Sequence, residues 1–301
     1  MKNLQDLEVF AEVAATGSMS DAGRTLRLSP AVVSKSIRRL EEQLGVRLLQ
    51  RTTRMITLTE TGRGFYERLL PVLAGIEEAE AFVEGHASAV RGRLRISAPT
   101  SFGRMHVAPH LANFMNAHEG LEIELILSDA FVDIVADGFD LAVRIGELSD
   151  STLVARKLAP VRRVLCASRQ YVERFGAPLS LEALEQHVCL PAHNGEYWRL
   201  EGPEGPVSFR PVGRLVTNSS EVIREAVLAG MGIALRSTWD IGPELAAGEL
   251  VHVLPEYKSP DNVGLFAVYA SRNFLPAKVR LFIDFMAGLY GPSPYWDRAV
   301  L

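Results

Sequence analysis

The stretch LSPAVVSKSIRRLEEQLG, residues 28–45, decides how the first sixty residues fold. Ser29 followed by Pro30 is a helix start: the serine hydroxyl caps a free N–H, and proline at the first helical position gives up a donor that has no partner there. Val33, Ile37, Leu40 and Leu44 then fall within one narrow arc at about 100° per residue. Ala31, Ser34, Lys35 and Arg38 lie on the opposite arc, with Arg39 at its edge. One face is core. The other carries small and hydroxyl residues near the N-terminus and cations after them, the layout a helix needs to enter a major groove.

Upstream, Leu4, Leu7, Phe10, Val13 and Ala14 recur at helical spacing and predict a first helix. Ser20 is the expected N-cap of a short second helix ending near Leu26. Downstream of Gly45, VRLLQ and MITLT read as two short strands joined by the basic tip RTTR. Arg51 and Arg54 at that tip are placed to reach backbone or minor groove, and Thr52 and Thr53 offer hydroxyls to phosphate. Between residues 22 and 58 eight cations stand against Glu41 and Glu42, a net +6 in a chain whose total is −4. A basic block on an acidic chain is the electrostatic footprint of a nucleic-acid-binding module.

The motifs F-x-x-V-A-x-x-G-S, L-S-x-x-x-V-S-x-x-I-x-x-L-E, L-G-x-x-L-x-x-R-x-x-R and L-T-x-x-G follow one another in order through LEVFAEVAATGSMSDAGRTLRLSPAVVSKSIRRLEEQLGVRLLQRTTRMITLTETG. This closely resembles the winged helix-turn-helix of the LysR-type transcriptional regulators. Two positions depart from the family pattern. Gly23 stands where a helix-forming alanine is usual, at a propensity cost of about 1 kcal/mol. Arg27 occupies the turn between the second and third helices, where glycine is common. By the resemblance, Ser29, Pro30, Ala31, Ser34, Lys35, Arg38, Arg39, Arg51, Thr52, Thr53 and Arg54 are the expected contacts to double-stranded DNA.

Residues 59–88 read as one helix of roughly 45 Å. Phe65, Leu69, Val72, Ile76, Ala79 and Val83 step by four and three, a heptad seam that a lone helix cannot bury. Pro71 inside it is expected to bend the helix or remove a hydrogen bond. In the resembled family this is the linker helix that dimerises two heads; packing of the seam on the chain's own core is the alternative.

Beyond residue 91, strand and helix signals alternate: RLRISAP, a helix over 103–118, LEIELILSD, DLAVRI, VLCAS, the helix SSEVIREAVLAG, GIALR, VGLFAVYA and a closing helix PAKVRLFIDFMAGLY. The alternation predicts an α/β fold with mainly parallel strands. The resemblance adds two Rossmann-like subdomains similar to periplasmic binding proteins, with the chain crossing near residues 160–163 and 263–267. The organisation expected is a DNA-binding domain over 1–58, a linker over 59–90, and an effector domain over 91–301. In that domain subdomain I takes about 91–162 and 266–301, and subdomain II about 163–265.

Ligands in such folds sit beyond the carboxyl ends of strands, beside helix N-termini. Thr100, Ser101 and Phe102 follow the first strand of the domain. Arg144 lies near the end of another, placed to meet a carboxylate ligand or merely Asp129 or Asp140. Asn218 and Ser219 open a helix expected to face them, and the resemblance adds Asn194 and Trp198 as cleft walls.

Composition narrows the classes. At 301 residues, 48% hydrophobic and 23% charged, the chain is globular with about two domains, neither fibrous nor disordered. Its longest uncharged apolar run spans residues 226–235, far short of the roughly 20 a membrane span needs. The N-terminus lacks a signal pattern, and with only Cys166 and Cys189 a reducing cytoplasm is expected. The two cysteines read as buried small hydrophobes, with a redox pair as the alternative. His106 and His110 have metal-like spacing, but Pro109 stands between them and no third ligand completes a motif. Gly230 and Gly232 follow a helix rather than a strand, against the order a dinucleotide loop requires. No catalytic motif, metal or cofactor is indicated.

The reading is a DNA-binding regulator controlled by a small, anionic effector, a carboxylate by preference. It works as a homodimer or homotetramer, with RNA polymerase as a further partner and no membrane. A regulator without an effector, a solute-binding protein, and an enzyme with an appended head are the alternatives. The tail GPSPYWDRAVL is left open between disorder and packing on a neighbouring subunit.

Overall fold

The structure is a computed structural model that describes residues 3–51, 56–83, 90–130, 132–147, 153–191, 197–270 and 275–298. Helix α1 (Leu4–Thr16) starts where the Asn3 side chain accepts from the Gln5 N–H and stops at Gly17, whose φ of 64° turns the chain away. Helix α2 (Met19–Thr25) is capped by Ser18, not by the expected Ser20: the Ser18 hydroxyl accepts from the Asp21 N–H at 3.2 Å. Both serines suit a cap, and the sharp turn at Gly17 makes the earlier one the extended residue. Helix α3 (Pro30–Leu44) has Ser29 as N-cap and Pro30 at its first position, and ends at Gly45 with φ 70°. Strands β1 (Leu49–Arg51) and β2 (Ile56–Leu58) pair antiparallel. Glu41 ties this wing to α3 by accepting from the N–H groups of Leu48 and Leu49 at 2.8 and 3.1 Å.

Helix α4 (Glu60–Val83) runs through Pro71 for 24 residues, about 36 Å. Its first turns belong to the head: Leu69 and Tyr66 are buried with Val9, Phe10, Val13, Val33, Ile37 and Leu40, and Phe65 lies 5.5 Å from the Phe10 ring. The expected dimer seam therefore begins as intrachain core. Beyond the reach of the head the same face emerges, with Val72 53% exposed and Ile76 half-buried. Ala79 and Val83 lie on the last turns of α4, their side chains outside the described residues.

The remainder forms two subdomains. Strand β3 (Gly92–Ala98) leads into a continuous helical run of α5 (Thr100–Phe102), a wide π turn at Gly103–Val107 and α6 (Ala108–Ala117), then β4 (Leu121–Leu127), β5 (Leu141–Gly146) and β6 (Val154–Pro160). The chain then crosses to β7 (Arg163–Ser168), α7 (Arg169–Phe175), the hairpin β8 (Trp198–Gly202) and β9 (Gly205–Phe209), α8 (Ser220–Leu228), β10 (Ala234–Ser237), α9 (Thr238–Ala246) and β11 (Leu250–His252). It returns through β12 (Gly264–Tyr269) and closes with α10 (Ala277–Tyr290). The first sheet has the order β4-β3-β5-β12-β6, the second β10-β7-β11.

The expectation of mainly parallel strands needs correction. Among the described strands β4-β3-β5 alone are parallel; β12 is antiparallel to both neighbours, as are β10 and β11 to β7. A crossover helix links β3 to the parallel β4, whereas the neighbours of β7 and β12 come from far along the chain and arrive in the opposite sense. The two crossing segments lie side by side, the Val161 N–H donating to the Val263 carbonyl at 3.3 Å. The second crossing ends at Val263, because residues 264–269 already belong to the first sheet.

The tail packs on its own chain as far as residue 298, the last one described. Trp296 is 6% exposed, 4.8 Å from the His106 ring and 5.8 Å from Phe102, and Asp297 accepts from the Thr238 hydroxyl at 2.6 Å. His106 is a core histidine, one ring nitrogen 2.6 Å from the Tyr295 hydroxyl and the other 2.9 Å from the Trp239 carbonyl.

Candidate DNA-reading face and ligand cleft

The amphipathic pattern of α3 sorts its residues as spacing requires. Val33, Ile37 and Leu40 are fully buried, while Ser29, Pro30, Ala31, Lys35 and Arg38 are exposed and Ser34 is half-buried between them. The exposed side is narrow and rises to two cations. Arg38 is held at 3.0 Å by Glu42 one turn on, an exposed pair of little worth that a phosphate replaces easily. Arg39 does something else. Its guanidinium makes a two-pronged ion pair with Asp6, which is fully buried on α1, so the side chain, still partly exposed, fastens α3 to α1. Among the described cations of the reading helix, Arg39 is thus the one already engaged with another element of the fold. Arg51 ends β1, its side chain outside the described residues, as are Thr52, Thr53 and Arg54 at the wing tip.

The second site lies at the carboxyl end of β3. The Thr100 N–H donates to Asp129 Oδ1 at 2.9 Å, and Arg144 on β5 donates to Ser97 Oγ at 3.3 Å and to its neighbour Val143's carbonyl at 3.2 Å. Arg144 has no ion-pair partner among the described residues: Asp140 is taken by Lys278 at 3.0 Å, and Asp129 by Thr100. Burial pulls the Arg144 guanidinium below its ordinary value, with Asp129 opposing. Ser101 is 2% exposed and its hydroxyl has no hydrogen-bond partner among the described residues. A buried hydroxyl and a half-buried cation, both short of partners beside the start of a helix, form an anion site by chemistry.

Two expected cleft residues are core. Phe102 is fully buried, 5.2 Å from Trp239 and 5.8 Å from Tyr290. Trp198 is 5% exposed and packs on Phe209 across the β8–β9 hairpin. Asn194 lies outside the described residues. Asn218 is exposed, and Ser219 precedes α8 with no capping bond from its side chain.

Two ion pairs that sequence reading missed join the subdomains here. Arg104 in the π turn meets Glu221 in the first turn of α8 at 3.0 Å, and Arg199 on β8 meets Glu147 after β5 at 3.3 Å. Their charges were visible, but nothing local paired residues so far apart. Ser97 was also missed: alternation along RLRISAP sets it with Arg93 and Arg95, opposite Leu94 and Ile96, and only the fold buries it.

Both cysteines are buried, their thiols weakly bonded to the carbonyls of Ala234 and Leu184. Burial pushes Cys166 up to about 12 and Cys189 up to about 11, so neither is a reactive thiolate at neutral pH.

Residues 4–63 match the family described as bacterial regulatory helix-turn-helix protein, lysR family, and residues 87–290 match the LysR substrate binding domain. The chain is 40% identical over 287 residues to the HTH-type transcriptional regulator DmlR of Escherichia coli K12, covering 94% of this chain and 93% of that one. Among solved structures it is similar to CrgA, a LysR-type transcriptional regulator from Neisseria meningitidis, with a TM-score of 0.62 and 31% identity over 96% of this chain and 99% of that one. The Vibrio cholerae virulence activator AphB is similar at a TM-score of 0.59 and 32% identity, over 95% and 99% of the two chains.

Proposed function

The chain belongs to the LysR family of bacterial transcriptional regulators, and from that premise we propose which of its residues read DNA and which ligand class controls it. It is a DNA-binding transcriptional regulator with a substrate-binding domain; regulators of this type bind DNA and small-molecule effectors and are oligomeric. The reading face is the exposed side of α3. Ser29, Pro30 and Ala31 allow close approach, Ser34 and Lys35 reach base edges, and Arg38 meets phosphate or base. Arg39 positions the helix through Asp6. The residues of the wing tip take the flanking backbone, and the exposed part of the α4 seam, from Val72 onward, takes a second copy.

The effector is a small carboxylate. One observation carries this: among the described residues the guanidinium of Arg144 has no ion-pair partner and the hydroxyl of Ser101 no hydrogen-bond partner, beside the start of a helical run. Asn218 and Ser219 supply donors from the opposite subdomain. This is the work of a regulator rather than an enzyme, done where the DNA template is, in the cytoplasm, with RNA polymerase as the protein it communicates with.

The test is a thermal-shift screen of the full chain against small carboxylates. A ligand at 100 times its dissociation constant adds about 2.7 kcal/mol, roughly 5–11 °C for a domain of this size. The shift is expected to vanish in Arg144→Ala and Ser101→Ala; a shift retained in both removes the anion site. For the reading face, Lys35→Ala is expected to narrow the gap between cognate and unrelated DNA by about 1–3 kcal/mol in titrations at fixed salt. An unchanged gap removes Lys35 from base readout.

A further inference from the structure

The reading head, α4 and subdomain I line an open cavity of about 750 Å³, within the range of small-molecule sites. It is separate from the cleft. Arg93 and Arg95, at the start of β3, line it, whereas Ser97 lies near the other end of that strand and Ser101 beyond it. Leu70 and Leu73 of α4 give it an apolar floor, and Glu8 and Glu12 of α1 form one wall.

The polar groups of this cavity are unevenly satisfied. Arg95 bonds Glu124 at 2.6 Å and the carbonyls of Ala15, Asp137 and Gly138 at 3.0–3.2 Å. Arg93 pairs with Glu124 at 2.9 Å, and Lys278 with Asp140 at 3.0 Å. The cations are therefore occupied. Glu8, Glu12 and Glu67 have no ion pair among the described residues, and all three line the space. Tyr66, only 3% exposed, lines it too, and its hydroxyl has no hydrogen-bond partner among the described residues. Burial, with the charges of Asp140 and Glu12, raises the phenol well above its ordinary value, so it stays a neutral hydroxyl at any working pH.

We propose that this junction is a second ligand site, distinct from the cleft, that takes a small amphipathic amine. The ammonium sits between the Glu12 carboxylate and the Tyr66 hydroxyl, and the apolar body lies on Leu70 and Leu73. An anion finds no free cation there. A ligand held by α1 and α4 together, beside subdomain I, fixes the head at the place where Arg95 already holds α1.

The test is a calorimetric titration of the full chain with n-hexylamine, and with hexanoate as the matched anion. Hexylamine is expected to bind saturably at one site per chain and hexanoate not at this site. Glu12→Gln and Tyr66→Phe each weaken hexylamine by roughly 10- to 100-fold, the worth of a hydrogen bond to a charged group. Glu249→Gln, which removes a carboxylate from subdomain II, leaves it unchanged. Should Tyr66→Phe not fold, judged by far-UV circular dichroism, Glu12→Gln decides alone. Non-saturable binding, equal binding of hexanoate that Glu12→Gln does not alter, or parent affinity in both variants overturns the proposal. So does a chain that binds no hexylamine because a second copy fills the space.

Discussion

Gly23 and Arg27 sit on the two sides of one tight turn. The Leu28 N–H donates to the Gly23 carbonyl at 2.8 Å, and Arg27 reaches that geometry with a φ of 55°, in the left-handed region. A Cβ at position 23 would lie 2.7 Å from the Leu28 carbonyl oxygen, a backbone atom that cannot swing aside. Helix propensity alone gives Gly23→Ala a gain of about 1 kcal/mol. The turn reverses the sign, and a loss of about 1–3 kcal/mol is expected in chemical denaturation. Arg27→Gly, which removes the strain of a side chain at positive φ, is expected to gain up to about 1 kcal/mol. The same scale explains Arg39. Its position at the edge of the polar arc was legible, but its partner Asp6 lies 33 residues away and no local pattern names it. The Arg39 guanidinium, with Ser36 helping, holds the Asp6 carboxyl below the usual carboxylate range. Stability from this pair is thus fully present above the unfolded value of about 3.9 and is lost as pH falls through the lower folded value. Asp6→Asn is expected to lower the urea midpoint clearly at pH 7 and much less at pH 3; an equal loss at both removes the ion pair as the cause.

Elements whose forces are local were readable in advance. Helix α3 carries its own cap, its own first-turn proline, its terminal glycine and a hydrophobic arc, so its ends and buried face follow from sequence. Helix α4 was legible as a helix, but its stripe was not legible as to partner, because a heptad spacing says that a face is buried and not by what. Strand β3 shows the same division. Alternation puts Leu94 and Ile96 inside and Arg93 and Arg95 outside, yet only the fold sets Arg95 against the head. Helix α1 has no basic residue in its last turn; Arg95 supplies the cation at its C-terminus from another domain. Close contact is permitted by Gly138, at φ +68°, where a Cβ would lie 2.8 Å from the Ala15 Cα. One strand therefore holds the head at its start and reaches the cleft at its end. Arg95→Ala is expected to keep the carboxylate-induced thermal shift. The ligand-dependent change in DNA affinity, expected at about 5- to 150-fold in the parent, should shrink toward none. An undiminished change would place the coupling elsewhere.

Across the whole molecule the subdomains are joined by two crossing segments, by α9 packing on the first subdomain through Trp239 and Thr238, and at the cleft by the exposed ion pairs Arg104–Glu221 and Arg199–Glu147. Such pairs are worth about 0–1 kcal/mol each, so they bias the cleft without locking it. Glu221 also sets a negative charge in the first turn of α8, where an anionic ligand would meet the helix. Glu221→Gln is expected to tighten carboxylate binding about two- to fivefold, the worth of one such interaction near a helix terminus, as read by titration of the full chain. Weaker binding would mean that the pair holds the cleft in its binding form. The sequence by itself determined the helix-turn-helix, its core and cationic faces, the α/β character of the rest, and the family, because caps, turn residues and apolar periodicity act over a few residues. The tertiary structure alone decided strand direction beyond β4-β3-β5, the burial of Phe102 and Trp198, the folding of the tail onto its own core, and the pairing of Arg39, Arg95 and Arg104. Each of those depends on residues distant in the chain meeting in space, where packing and charge choose among partners that local pattern leaves equivalent.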